Sequence, residues 1–384
     1  MQTVFRAIRE FVKKADMVLL SLCIAASVYG IVAISSATNH LGSGEYIRKQ
    51  ALALVLGVIM FIILTLIDVD IIAERREILL IFSILFIGLL FTPFGIDMGG
   101  NRSWLRFPFL PFDIQPAEIC KIFFILILAK TMSVKQNKIS APLTVLQIAG
   151  ITILLFGFIM VASDDLGVAL QYLFIFMVMA FVGGVSLLWF VGGFAAILVA
   201  APFLWTQLSD YQQKRILVLF DPTIDPQAQT VRYQTNYSLR ALQNGGISGQ
   251  GLYKGAMVQA GILPQQRNDF IFSAIGEELG MLGCVAVLLI LGAIIIRIIY
   301  VGIKSGNVMN RLICVGTAGM LASQILINVG MCLGLLPVVG LTLPFFSYGG
   351  SSLVTMFLAM GIVSGINMRP APDSNARYIR PKLQ

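Results

Sequence analysis

Gly261 to Gly280 reads GILPQQRNDFIFSAIGEELG. A long polar stretch stops at Asp269, and a strongly apolar run starts at Phe270. A carboxylate therefore stands at the mouth of a segment apolar enough to enter lipid. Ionisable groups at that depth are costly unless they are paired or functional, which makes Asp269 a candidate site residue. A second reading is open at this stage: Asp269 caps the helix beginning at Phe270, satisfying free N–H groups and the helix dipole.

Working outward, the whole chain of 384 residues is 58% hydrophobic and 12% charged, with a mean hydropathy of +0.88. No soluble domain hides so much apolar surface, so the fold class is an all-α polytopic membrane protein in one domain. Runs long enough to cross, ~20 residues each, fall near 17–36, 50–67, 77–93, 115–131, 142–162, 165–182, 186–205, 270–297, 308–334 and 345–367. That predicts about ten transmembrane helices, with both chain ends on one side.

Basic residues set the orientation. Short loops on one side hold Arg75, Arg76, Lys130, Lys135, Lys138, Arg297, Lys304 and Arg311, and both termini add more. Short loops on the other side hold Arg48, Lys49, Arg102 and Arg106. Positive charge favours the cytoplasm, so both termini are expected there, in a cytoplasmic membrane. The formal net charge of +8 is scattered over loops, which argues against nucleic acid.

Residues 1–14 read as an interfacial helix, with Val4, Phe5, Ile8, Phe11 and Val12 at helical spacing between basic residues. No small-residue cleavage site follows, so the first span is expected to be retained. The tail 370–384 is polar and cytoplasmic in this scheme. Five cysteines without CxxC spacing read as small buried hydrophobes, with no metal site among them. Two extracellular segments stand out: residues 94–114, read as a re-entrant or interfacial turn, and a large, partly helical loop over 206–269.

Four constellations could carry chemistry. Glu118 and Lys121 share a helical face and can pair, while Arg102 and Arg106 nearby suit phosphate oxygens; a structural salt bridge with snorkelling arginines is the alternative. Asp164 and Asp165 lie at a short turn and read as turn and helix-start residues. The glycine-rich GGISGQGLYKG, Gly245–Gly255, lacks the strand a nucleotide fingerprint needs and suits close backbone packing or approach to a ligand. LPFFSYGGSS, Leu343–Ser352, permits close helix contact, with Ser347 and Ser351 as candidate substrate-lining hydroxyls.

These stretches, namely NRSWLRF with QPAEICK, DLG, YQTNYSLRALQNGGISGQGL, LPQQRNDFIFSAIGEELG and LPVVGLTLPFFSYGGSSL, occur in the order found in the SEDS family (shape, elongation, division and sporulation). The chain resembles that family from about Gly100 to Gly365. The resemblance implies a glycosyltransferase that polymerises lipid II into peptidoglycan strands at the outer membrane face, beside a class B penicillin-binding protein and other elongasome or divisome membrane proteins. It places the family's essential aspartate on Asp269, its Glu and Lys on Glu118 and Lys121, and its PDLG aspartate on Asp165. Departures are Gln265, Gln266, Arg267 and Asn268, which replace acidic and His/Thr neighbours, and Ser163 and Val168 around DLG.

The expected chemistry has Asp269 as base toward the acceptor's 4-hydroxyl, with Arg102, Arg106, Lys121 or Arg267 stabilising the leaving pyrophosphate. A divalent cation, Mg or Mn, could share that task, although no acidic cluster demands one. Two other classes fit the same sequence: a transporter that flips lipid II, and a non-catalytic scaffold for the penicillin-binding protein.

Overall fold

The computed structural model describes residues 11–98, 101–108, 110, 112–207, 210–225 and 232–369. The tail expected over 370–384, and the interfacial helix expected over 1–14 except for residues 11–14, lie outside them.

The described chain is a helical bundle. Its principal helices are α1 (Met17–Ala37), α2 (Gly44–Leu66), α3 (Val69–Glu74), α4 (Arg76–Gly88), α5 (Pro116–Val134), α6 (Pro142–Ser163) and α7 (Leu166–Val182). These are followed by α8 (Leu187–Gln207), α9 (Asp210–Leu217), α10 (Tyr233–Gly245), α11 (Ala256–Gln259), α12 (Ile271–Lys304), α13 (Val308–Cys332) and α14 (Gly350–Met368). Each apolar run of the sequence coincides with one of these helices. By length and composition six of them can cross a membrane, namely α1, α2, α6, α12, α13 and α14, and α7 and Leu187–Phe203 of α8 are apolar but shorter. The chain is thus a multi-pass membrane protein.

Packing in lipid relies on close backbone approach more than on water exclusion. α14 packs most extensively on α2, and the reason is local. Gly361 and Gly365 are four apart on one face of α14, and a Cβ on either would meet α2 backbone, Phe61 at 2.8 Å and Leu64 or Thr65 at 3.3 Å. Thr65 Oγ1 also donates to the Gly361 carbonyl at 3.3 Å. By contrast, α8 has exposed side chains along almost its whole described length. It is anchored at its start, where the Ser186 N–H donates to Ser140 Oγ at 2.8 Å and Trp189 Nε1 donates to the Ser140 carbonyl at 3.0 Å.

Three features differ from the sequence reading. Residues 94–114 are not a simple re-entrant turn: β1 (Gly95–Met98) and β2 (Asn101–Leu105) form an antiparallel hairpin, and Leu105 bridges on to Ile114. The last helix begins at Gly350 and not near 345. Phe345 has φ +66°, a left-handed conformation that breaks a helix and that a non-glycine residue adopts only under constraint.

The third difference is that α12 is broken at Gly280, which has φ 67° and ψ −166°. The glycine-rich run repairs the break. Gln250 and Gly251 N–H donate to the Glu277 and Glu278 carbonyls at 3.0 and 2.8 Å, while Met281 and Leu282 N–H donate to the Gly246 and Ile247 carbonyls at 2.9 and 3.2 Å. The carbonyls of Glu277 and Glu278 and the N–H groups of Met281 and Leu282, freed by the kink, are thus satisfied. Added Cβ atoms would strike backbone here: from Gly245 the Gly276 oxygen at 1.8 Å, and from Gly280 the Gly249 nitrogen at 2.3 Å. The ligand approached by these glycines is the chain itself. Gly280→Ala combines that clash with a left-handed φ and should cost about 1–3 kcal/mol. A thermal melt of the purified protein in detergent checks this; an unchanged midpoint would mean the kink is dispensable.

Candidate active site

Asp269 lies in the turn ahead of α12. Helix α12 has Phe270 at its N-cap and no side-chain cap bond, so the capping reading of Asp269 does not hold. Instead the backbone around Asp269 is clamped. Asn328 of α13 donates from Nδ2 to the Asp269 carbonyl at 2.8 Å and to the Leu341 carbonyl at 2.6 Å. Ser347 Oγ donates to the Asn268 carbonyl at 2.6 Å and accepts from Leu343 N–H at 2.7 Å, and Tyr348 N–H donates to the Arg267 carbonyl at 2.8 Å. These bonds fix the main chain and leave the carboxylate for other work.

The 338–342 loop crosses beneath it. Gly340, with φ +72°, brings its backbone to the acid: a Cβ there would lie 3.7 Å from Asp269 Oδ2. The same loop meets the start of α7, where a Cβ on Gly167 would sit 2.6 Å from the Val339 oxygen. Arg215 of α9 donates to the Val338 carbonyl at 2.7 Å, tying a third element to this loop.

Asp269 is partly open yet closely surrounded. Desolvation is the main cause that pushes its carboxyl up to about 6; the charge of Asp165 pushes the same way, and Arg215 opposes both. Asp165 is likewise raised to about 6, first by desolvation, while its bond from Val168 N–H pulls it down and Glu118 and Lys121 act in opposite directions. The structure therefore places two carboxylates and the Arg215 guanidinium within electrostatic reach of one another.

Asp165 caps α7, accepting from Val168 N–H at 3.0 Å, while Asp164 takes the left-handed C-cap of α6 with φ 50°, as turn and helix-start residues should. The other oxygen of Asp165 accepts from Gln115 Nε2 at 3.1 Å and Ser103 Oγ at 3.5 Å. Behind it, Lys121 donates to Glu118 at 2.6 Å and to Gln171, with all three side chains buried. Gln115 N–H donates to Ser351 Oγ at 3.2 Å, which brings the start of α14 to the start of α5.

The candidate residues therefore separate into groups. Asp269, Asp165, Glu118 and Lys121 converge at one end of the bundle. Ser347 and Ser351 are buried beside them, but their hydroxyls bind backbone. Arg102 and Arg106 face outward on the hairpin: Arg102 donates to the Thr92 carbonyl at 2.8 Å, and Arg106 grips Asp113 through two bonds of 2.9 and 2.8 Å. Arg267 lies over the Tyr46 ring at 4.8 Å.

Several working residues were not singled out from sequence. Arg215 was one loop cation among several, and Gln115 and Asn328 were neutral amides without an evident partner. Glu277 and Glu278 sat within the apolar run. Glu277 accepts from Met257 and Val258 N–H at 3.0 and 2.8 Å, capping α11, and Glu278 accepts from Ser36 Oγ at 2.7 Å and Gln259 Nε2 at 2.9 Å. Buried carboxylates so fully bonded to neutral donors hold a loop in place. Among the described residues, no three or more His, Cys, Asp or Glu side chains gather as a metal site, and the five cysteines are free and buried.

Comparison with known proteins shows what the chain is similar to. The Cell cycle protein family, FtsW/RodA/SpoVE, matches residues 15–371. The chain is 31% identical to the probable peptidoglycan glycosyltransferase FtsW of Geobacter metallireducens, covering 93% of this chain and 96% of that one. It is 32% identical to the peptidoglycan glycosyltransferase MrdB of Escherichia coli, covering 92% and 93%. In structure it is similar to a chain of a peptidoglycan synthase complex that coordinates polymerization and crosslinking, with a TM-score of 0.77, 30% identity and coverage of 92% and 97%. On this evidence the chain belongs to the FtsW/RodA/SpoVE family of membrane proteins.

Proposed function

We propose that this chain is a peptidoglycan glycosyltransferase that polymerises lipid II, with Asp269 as its general base. The observation carrying this is the disposition of Asp269: its backbone is clamped by α13 and by the loop before α14, its side chain caps nothing, and a second carboxylate and a guanidinium act on it. The names of its relatives supply the substrate class.

Asp269 takes the proton of the acceptor sugar's 4-hydroxyl as that oxygen attacks the anomeric carbon of the lipid-linked donor. The bond to pyrophosphate breaks, and the electron pair leaves with it. Arg215, whose charge acts on Asp269, is placed to offset the growing negative charge of the leaving group. Desolvation, with the charge of Asp165 acting in the same direction, keeps the Asp269 carboxyl basic enough to accept a proton near neutrality. In this reading the Asp269 end of the bundle faces the outside, both termini are cytoplasmic, and a class B penicillin-binding protein of the elongasome or divisome crosslinks the product.

The test is polymerisation of purified lipid II, scored by product length, with and without such a partner. A base works only when deprotonated. With the Asp269 carboxyl near 6, kcat/KM should be level above that pH and fall about tenfold per unit below it. A profile flat down to pH 4.5 would remove Asp269 from the base role. Quencher access to fluorescent lipid II in proteoliposomes reads out flipping separately.

A further inference from the structure

The end of the bundle opposite Asp269 carries a small polar cavity of about 60 Å³. The turn that holds Asp269 meets the end of α13 through Asn328, the approach to α14 through Ser347 and the start of α2 through Tyr46. The cavity lies at the other ends of the same three helices, lined by Asp68, Asp70, Asn310, Gly365, Ile366 and Arg369 among others. All three are long and apolar enough to cross a membrane, so the cavity stands at the level of lipid headgroups.

Asn310 is the sign that the cavity takes an occupant. It lies in the first turn of α13, where Asn307 already serves as the cap and accepts from Met309 N–H at 2.9 Å. Asn310 is only 8% exposed, and its amide has no hydrogen-bond partner among the described residues. Its amide atoms are not sealed inside the protein, as Gln324 Oε1 is, and the surface left to them belongs to the cavity they line. A nearly buried amide left open to a cavity calls for a polar partner there.

The surroundings set the charge of that partner. Asp68 spends Oδ1 on Asp70 N–H at 3.0 Å, which leaves its other oxygen and the Asp70 carboxylate free for a ligand. The ion pair of this short helix is instead Lys130 with Glu74, at 4.0 Å. The last turns of α2 and α14 add the negative ends of two helix dipoles. Arg369 donates to the Thr65, Leu66 and Ile67 carbonyls, which uses three of its five N–H groups and leaves two. Acceptors for a cation thus adjoin a guanidinium with donors to spare for an anion.

We propose that this cavity binds the phosphoethanolamine headgroup of a membrane lipid. The ammonium enters it and donates its three N–H groups to Asp68, Asp70 and Asn310 Oδ1, while the phosphate beside it takes the two remaining N–H groups of Arg369. A divalent metal would face the guanidinium and find fewer oxygens than a hard cation requires. An anionic headgroup would face two carboxylates. Leu66, Ile67 and Ile71 remain exposed beside the cavity, a surface suited to the acyl chains. With the termini cytoplasmic, the lipid belongs to the inner leaflet.

In the experiment the full chain in detergent is mixed with equal amounts of dioleoyl phosphatidylethanolamine, phosphatidylcholine and phosphatidylglycerol, and bound lipid is counted by native mass spectrometry. Phosphatidylethanolamine should be retained about tenfold over the others, because choline cannot donate and glycerol carries no charge. Asp70→Asn alters an exposed side chain whose carboxylate makes no hydrogen bond among the described residues, and should erase most of that preference. Asn310→Leu should do the same, and Asp70→Asn decides if that variant unfolds. Equal retention of the three lipids, or a preference unchanged in Asp70→Asn, would overturn the site. Glycerophosphoethanolamine, the headgroup without chains, should compete only in about hundredfold excess; competition at equal concentration would make a soluble amine the ligand and overturn the lipid. Asp269→Asn should keep the preference while failing to polymerise, so this site and the general-base reading stand or fall separately.

Discussion

Asp269→Asn should lower lipid II polymerisation by about 10²–10⁴-fold, the range by which a positioned general base contributes. The substitution is nearly isosteric, and the bonds holding this turn reach the backbone carbonyls of Asn268 and Asp269 and not the Asp269 side chain. The fold should therefore survive. Stability should be level or slightly higher, because the ionised carboxyl is desolvated and repelled by Asp165. The variant separates chemistry from architecture if product formation and melting temperature are measured on one preparation. Normal strand synthesis by Asp269→Asn would sink the mechanism.

Lys121→Met is expected to give the largest stability loss. Lys121 and Glu118 are almost fully buried and paired at 2.6 Å, and Glu118 Oε2 has no partner among the described residues. Removing the ammonium leaves a buried carboxylate uncompensated, a loss of about 3–5 kcal/mol. Glu118→Gln with Lys121→Met removes both charges and should regain most of that loss, because the stranded charge and not the missing bond is what destabilises. Melting curves of the two variants decide it; equal midpoints for the single and double variants would mean the pair contributes no specific compensation. Activity should fall with the single variant too, since Lys121 opposes the influences that raise Asp165.

What could be read from the sequence follows physical range. Apolar runs and the spacing of Glu118 and Lys121 are local patterns, and the helices and the buried pair appear where those patterns place them. Asp269 was visible because a charge at the edge of an apolar run is conspicuous by itself. Arg215, Asn328 and Gln115 act through partners over a hundred residues away or through neutral amide bonds, for which no periodicity exists. Arg102 and Arg106 illustrate the converse: basic residues near the right place turn outward because a hairpin, set by pairing between Gly95 and Leu105, aims them there. The break at Gly280 was hidden because a glycine in an apolar helix is tolerated, and only the contact with Gly249 reveals its φ.

That break also separates two mechanical environments. Beyond Gly280 the helix is a long apolar rod packed into the bundle through Val287, Leu291, Ile294 and Ile298 and tied to Asp16 by Arg297. Before it, the segment next to Asp269 is bolted to the folded loop through Glu277 and Glu278. The kink therefore lets the segment beside Asp269 be held by the loop while the rest of the helix is held by the bundle.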